Sequence, residues 1–358
     1  MAIEVMIPTY NSAATVEATL RSVFAQSEPI ESVTVVDDAS SDGTEAVVRA
    51  FKSVKFLRNE KNLGAIENWA QCMRLATEDH VVLLHADDII MPEWHKHCRA
   101  LIRNAPKPVE TFIVLGYADA TVSGNITHVF SVTPRQGYFE PGTWLVKLWR
   151  ARLVGIMTSG ATVYARRPFL ELGGFPAKEY PLMSDVPLHY RMAQNYWIAY
   201  DPEPLAMMTQ IPNSLSKVNR PTLYAGNMKL IKEISDDLAK VAGLSREVII
   251  QQAMFPYFVI DLCRPYWRRL YNLPDHLFVE PRAVCRNAGF LRLARIALIY
   301  AGRVLQVRFR TWKYRRHLSP VAKYYAGLLL TQRKQPHQGV SSGTQDPRQG
   351  DNTAREAI

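Results

Sequence analysis

Apolar residues early in the chain fall into short continuous runs separated by helically spaced ones. Glu4-Val5-Met6-Ile7, Ser32-Val33-Thr34-Val35-Val36 and His80-Val81-Val82-Leu83-Leu84 each predict a buried strand. Val16, Leu20, Val23 and Phe24 recur at helical spacing, as do Ile66, Trp69, Ala70 and Met73. Asp42 and Glu45 have capping-box spacing ahead of Val47, Ala50 and Phe51. A short strand, Val54–Leu57, follows, and Pro92 suits the first turn of a further helix. Strands alternating with helices predict a parallel sheet with right-handed crossovers. Each of the three buried runs ends in a polar cluster: Pro8-Thr9-Tyr10-Asn11, Asp37-Asp38-Ala39-Ser40 and His85-Ala86-Asp87-Asp88. In such a sheet all three clusters lie along the carboxyl edge, where open α/β folds bind ligands. An edge so rich in carboxylates suits a metal-bound diphosphate better than a naked anion.

The pattern changes after residue 110. Thr111–Gly116 and Ile126–Val132 predict strands about a Ser123-Gly124-Asn125 turn, and Gly155–Tyr164 predicts another. Ser184-Asp185 precede a helix over Val186–Gln194. From Leu223 the pattern is mainly helical, and beyond Gln335 it becomes rich in Gln, Ser, Gly and Asp with no apolar period. These shifts divide the chain into an α/β unit over 1–222, a helical extension over 223–335 and a disordered tail over 336–358.

Composition adds a polarity to this plan. The 358 residues carry a net charge of +10 and are 47% hydrophobic, enough for a large core. Leu262 to Lys334 contains 16 Lys and Arg against two acids, Asp275 and Glu280, so the remainder holds 27 bases and 31 acids. The basicity belongs to the extension, and a segment so polarised predicts an anionic partner surface. Arg292, Arg295, Arg303, Gln306 and Arg310 fall near one helix face beside a broad apolar remainder, and Trp312, Tyr314 and Lys313-Arg315-Arg316 follow. That mixture fits a helix lying on an anionic membrane, or equally one packed on the α/β unit with a solvated basic stripe. No recognition motif accompanies the charge, so nucleic acid is not expected. No stretch reaches the about 18 apolar residues of a spanning helix, and Met1-Ala2-Ile3-Glu4 lacks a basic, apolar leader. Cys72, Cys98, Cys263 and Cys285 form no C-x-x-C pair, so neither a zinc site nor a disulfide framework is indicated.

Five motifs in order carry a resemblance: Ile7-Pro8-Thr9-Tyr10-Asn11; Val36-Asp37-Asp38-Ala39-Ser40-Ser41-Asp42-Gly43-Thr44; Asn62-Leu63-Gly64; Ala86-Asp87-Asp88-Ile89-Ile90-Met91-Pro92; and Gly173-Gly174-Phe175 with Ser184-Asp185 and Arg191. Together, over roughly residues 1–220, they resemble glycosyltransferase family 2. The resemblance implies a GT-A type fold with a mixed, mainly parallel central sheet. It also implies a nucleotide-sugar donor, UDP-sugar foremost, Mg²⁺ or Mn²⁺, and inversion at the anomeric carbon. It places Pro8, Tyr10 and Asp38 around the donor base, Asp87 near the ribose, Asp88 on the metal and Asp185 as the catalytic base. Asp37 is expected to support its turn.

The chain departs from the family pattern at three points. His85 stands where many members have another Asp, and Gln210 lies in a stretch where many carry a His. Glu67 replaces a common basic residue. The first two favour an alternative, a degenerate protein that binds nucleotide-sugar or glycan without turnover. Trp144 and Trp149 could stack on an acceptor sugar, but packing is the plainer role. Many relatives act on polyprenyl-linked glycans. The resemblance and the basic extension together therefore imply a peripheral enzyme at the cytoplasmic membrane face, adding one sugar to a lipid-linked saccharide in cell-surface polysaccharide synthesis.

Overall fold

The computed structural model describes residues 1–150, 159–211, 220–262, 281, 285 and 290–334. The expected tail, Cys263 and the 155–158 part of the strand expected from Gly155 lie outside these residues. The Trp149 side chain is likewise not among those described.

The first half alternates as its pattern requires: β1 (Ile3–Thr9), α1 (Val16–Phe24), β2 (Ser32–Asp37), α2 (Thr44–Arg49), β3 (Lys55–Arg58), α3 (Ala65–Leu75) and β4 (His80–Leu83). A two-residue strand β5 (Ile89–Ile90) and helix α4 (Trp94–Arg103) follow. The second half contributes β6 (Thr111–Thr121), β7 (Ile126–Phe130), β8 (Gly137–Phe139), α5 (Thr143–Arg150), β9 (Thr162–Ala165), α6 (Arg166–Glu171), α7 (Asp185–Asn195) and β10 (Trp197–Gln210). Three helices complete the described chain: α8 (Arg220–Ala242), α9 (Arg246–Leu262) and α10 (Phe290–Lys334).

One ten-stranded sheet runs β3-β2-β1-β4-β9-β6-β10-β5, with β7 paired to β6 and β8 to β10. β1, β2, β3 and β4 are parallel; β9 is antiparallel to both β4 and β6, and β10 is parallel to β6. Six strands therefore share one direction, the mixed, mainly parallel sheet of a GT-A-like α/β fold. Alternate residues of each strand enter opposite cores, as a period of two demands. Val5, Ile7, Val35 and Val82 face α1 and α4 on one side, where Leu20 and Trp94 are buried. Met6, Val36, Val81 and Leu83 face the other side, with Cys72 and Met73 of α3 and Leu188 and Met192 of α7. Each such aliphatic side chain contributes roughly 1.5–3 kcal/mol through burial, so the register of these strands is fixed firmly.

β10 is a strand the apolar pattern did not disclose. Pro202 and Pro204 interrupt it, and the pairing register with β6 shifts on both sides of Pro204. A proline cannot donate to the ladder, so it is confined to irregularities of this kind. Gly116 lies opposite, and a Cβ there would meet the Pro202 carbonyl oxygen at 2.3 Å. The Asp42/Glu45 capping box also does not form. Asp42 instead accepts from the Thr44 and Ala13 backbone N–H groups at 3.0 and 3.1 Å, while Glu45 pairs with Arg49 on the surface.

The long helix α10 packs on the sheet through the side expected to be its basic face. Arg303 Nη2 donates to the Ser131 carbonyl at 2.5 Å and Arg310 Nη2 to the Pro202 carbonyl at 2.6 Å. Tyr314 donates to Glu203 at 2.8 Å, and Leu318, Ala322, Tyr325 and Leu329 enter the same core as α1. Thus Arg303 and Arg310 are anchors, whereas Arg295, Arg308, Lys313, Arg315 and Arg316 are exposed. Trp144 is fully buried against Phe139 and Tyr200, the packing role.

Candidate active site

The ends of β1, β2 and β4 lie side by side because their registers align Thr9 with Asp37 and Met6 with Leu83. Two tight loops leave that edge. Asn11 and Ala39 both take left-handed backbone conformations, with φ of 48° and 59°. For an alanine this costs on the order of 1 kcal/mol, and such strain tends to sit at functional loops. Pro8 is buried in β1, while the Tyr10 ring beyond it is 54% exposed.

The adjacent acids Asp37 and Asp38 do different work. Asp37 accepts from Thr9, from the Ser40 backbone N–H and side chain, and from Arg58 at 3.0 Å. It supports the turn, as expected. Asp38 accepts from Asn59 Nδ2 and the Leu63 N–H, both at 2.8 Å, and from the Gly64 N–H at 2.9 Å. This carboxylate therefore fixes the Asn62-Leu63-Gly64 turn against the edge. Gly64 has φ of 87°, a value that favours glycine.

Beyond β4, ligand atoms of His85, Asp87 and Asp88 all lie within 4.8 Å of one another. The His85 substitution thus does not remove a donor from the cluster; it supplies a nitrogen instead. The His85 ring stacks on Trp69 with centroids 4.6 Å apart, and its backbone N–H donates to Ser159 Oγ at 2.5 Å. Asp88 is buried and accepts from the Thr209 N–H at 3.2 Å, which ties the cluster to the end of β10 beside Gln210. Burial raises Asp87 to about 6; burial and then the Asp87 charge hold Asp88 well above the usual carboxylate range. Burial lowers His85 to about 4, so its imidazole is neutral near pH 7. Two crowded carboxyls and a neutral imidazole, with no ion pair to a lysine or arginine among the described residues, fit a divalent metal.

Asp185 opens α7 and is half-buried, and burial raises its carboxyl to about 6. A run of aromatic contacts joins it to the cluster. Trp69 meets Phe175 edge-on at 6.0 Å, Phe175 meets Tyr164 at 6.2 Å, and the charge of Asp185 acts on the Tyr164 phenol. Tyr164 in turn bonds His189 at 2.8 Å, one helical turn beyond Asp185. Trp69, Phe175 and Tyr164 had no functional assignment from sequence. The Gly173-Gly174-Phe175 motif was the available signal, and its positive-φ glycines place Phe175 in this wall. Glu67, by contrast, is exposed and pairs with Arg74 at 2.6 Å. His95 and His97 bond the Glu28 carbonyl and Asp201 elsewhere in the fold.

The sheet, its acidic carboxyl edge and the order of the motifs together define a GT-A-like transferase class. Residues 4–172 match the sequence family described as Glycosyl transferase family 2. Among curated relatives, an uncharacterized glycosyltransferase of Haemophilus influenzae is 33% identical over 104 residues, 29% of this chain and 35% of that protein. Poly-beta-1,6-N-acetyl-D-glucosamine synthase of Staphylococcus epidermidis is 31% identical over 91 residues, 25% of this chain and 22% of that one. The matches thus span well under half of these relatives' own length. Among solved structures, S. aureus TarS 1-349 in complex with UDP-GlcNAc aligns with a TM-score of 0.56 at 18% identity, over 93% of this chain and 92% of that one.

Proposed function

We propose that this chain is an inverting glycosyltransferase that moves one sugar from a nucleoside-diphosphate sugar to a hydroxyl of a saccharide acceptor. The observation that carries the reading is the His85/Asp87/Asp88 cluster at the carboxyl edge, joined to Asp185 by the Trp69–Phe175–Tyr164 wall. In this reading Pro8, Tyr10 and Asp38 hold the nucleotide base. The exposed Tyr10 ring offers a face for stacking, and Asp38 retains acceptor capacity beyond its three bonds to the neighbouring loops. Asp87 meets the ribose, and Asp88 holds Mg²⁺ or Mn²⁺ with its neighbours. The charge neutralisation of the diphosphate leaving group is the chemistry that an ion held by these residues would supply.

Asp185 takes the proton of the acceptor hydroxyl as that oxygen bonds to the anomeric carbon and the bond to the diphosphate breaks. A base with a pKa near the working pH combines availability with driving force, and burial supplies that pKa here. The degenerate-binder alternative loses one of its two supports, because His85 remains in the donor cluster.

Residues 1–222 form the transferase unit in this proposal and 223–335 an extension that meets an anionic membrane on the cytoplasmic side. Leu298, Leu305, Phe309 and Trp312 are 75, 65, 61 and 73% exposed and share one stripe of α10, flanked by Arg295, Arg308, Lys313, Arg315 and Arg316. No acid occurs between residues 281 and 334, so the charge complements anionic lipid. No helix among the described residues is long and apolar enough to cross a membrane. A polyprenyl-linked saccharide is the acceptor that such a position serves, in keeping with the polysaccharide product in the name of the S. epidermidis relative.

The test is a screen of UDP-, GDP- and dTDP-sugars for hydrolysis and transfer with Mn²⁺, with UDP-sugars expected to react. Loss of turnover in Asp88→Ala supports the enzyme reading. Nucleotide binding without turnover across the whole screen would replace it with the binder.

A further inference from the structure

Several described histidines lie near the catalytic edge or the β6–β10 layer, His128 beside Asp119 of β6 among them. His97 bonds Asp201 and His189 Nε2 bonds the buried Tyr164 hydroxyl, both away from the acidic cluster. His85 differs, because its side chain is 32% exposed and, among the described residues, its Nδ1 faces Asp88. The Nδ1 to Asp88 Oδ2 distance is 3.8 Å, and the group closes with Asp87 inside 4.8 Å. Two donors about 2.1–2.2 Å from one cation lie no more than about 4.4 Å apart, so a slight side-chain rotation brings all three into range.

The orientation of the imidazole is already set. One face rests on Trp69, and the backbone on either side is held, at the His85 N–H by Ser159 and at the Asp88 N–H by the His85 carbonyl. A ring stacked in this way loses little freedom on ligation, which favours binding. Hard Mg²⁺ prefers oxygen donors, whereas imidazole suits later divalent ions.

We propose that His85 is a nitrogen ligand of the divalent ion at this site and biases it toward Mn²⁺ and Co²⁺ over Mg²⁺. The inference rests on the metal–diphosphate reading of the cluster above. It goes further by assigning the His85 ring, which the sequence pattern treats as a lost carboxylate, to the coordination sphere.

Pulsed electron paramagnetic resonance of Mn²⁺ bound to the full chain with UDP tests it directly. Wild type is expected to show ¹⁴N modulation that converts to the ¹⁵N pattern when only histidine is labelled. His85→Asp is expected to keep bound Mn²⁺, lose the nitrogen modulation, and lower the Mn²⁺-to-Mg²⁺ affinity ratio about tenfold. If His85→Asp does not fold, the labelled wild type still decides the point. Mn²⁺ bound without nitrogen modulation overturns the inference but leaves the transferase reading intact, as does an unchanged affinity ratio in His85→Asp. Failure of wild type to bind Mn²⁺ in the presence of UDP overturns both.

Discussion

Replacing Asp185 with Asn keeps the shape of the side chain and removes the charge. Burial raises this carboxyl from 3.8 to about 6, so holding it ionised in the folded chain costs on the order of 3 kcal/mol by linkage. Partial exposure and the favourable place of an acid in the first turn of α7 reduce the gain from its removal to about 2 kcal/mol. The sign follows from the direction of the shift. The penalty is absent below the unfolded value of 3.8 and complete above about 6. Asp185→Asn should therefore raise Tm by roughly 3–5 °C at pH 8 and leave it unchanged near pH 4. The same change removes the base, so kcat should fall about 10²- to 10⁴-fold, while UDP affinity holds. Wild-type kcat should itself decline as pH drops through about 6, where the carboxyl takes up its proton. Differential scanning fluorimetry at both pH values and steady-state transfer assays measure these quantities. A variant that keeps a third of the wild-type rate would exclude Asp185 as the base, and one less stable than wild type at pH 8 would show that its ionised carboxylate carries no burial penalty.

Three further outcomes follow from other parts of the fold. Gly116→Ala sets a Cβ 2.3 Å from the Pro202 carbonyl oxygen at the β6–β10 irregularity, and denaturant titration should show a loss of about 1–3 kcal/mol. Ala39→Gly relieves the left-handed alanine after β2 and should stabilise by about 1 kcal/mol in the same assay; a loss of stability would show that the conformation is not strained. The triple change Leu305→Ser, Phe309→Ser, Trp312→Ser removes three exposed apolar residues from α10 without touching its packed side. It should abolish flotation with anionic liposomes while leaving transfer to a soluble acceptor intact, and flotation equal to wild type would remove the membrane role.

Much of the catalytic edge was legible because it is local. Val33 to Val36 and Val81 to Leu84 are buried on both faces, so continuous apolar runs mark their strands, and the acids must follow where the runs stop. β10 was hidden because Pro202 and Pro204 mimic a loop, and only pairing with β6 holds that segment extended. The aromatic wall was hidden for a related reason. Trp69, Phe175 and Tyr164 are far apart in sequence and meet only through tertiary packing. α10 packs on the α/β unit, one of the two arrangements its pattern allowed, but its basic stripe is only partly solvated, because Arg303 and Arg310 satisfy backbone carbonyls of Ser131 and Pro202.

In the proposed enzyme the ends of β1, β2 and β4 and the start of α7 converge on one bound metal and nucleotide. Anomalous scattering from crystals grown with Mn²⁺ and UDP measures this most directly. A single manganese peak is expected among His85, Asp87 and Asp88, with uracil beside Tyr10 and Asp38 and Asp185 facing the diphosphate. Nucleotide bound away from Asp38, or manganese absent from Asp88 while nucleotide is present, would contradict it.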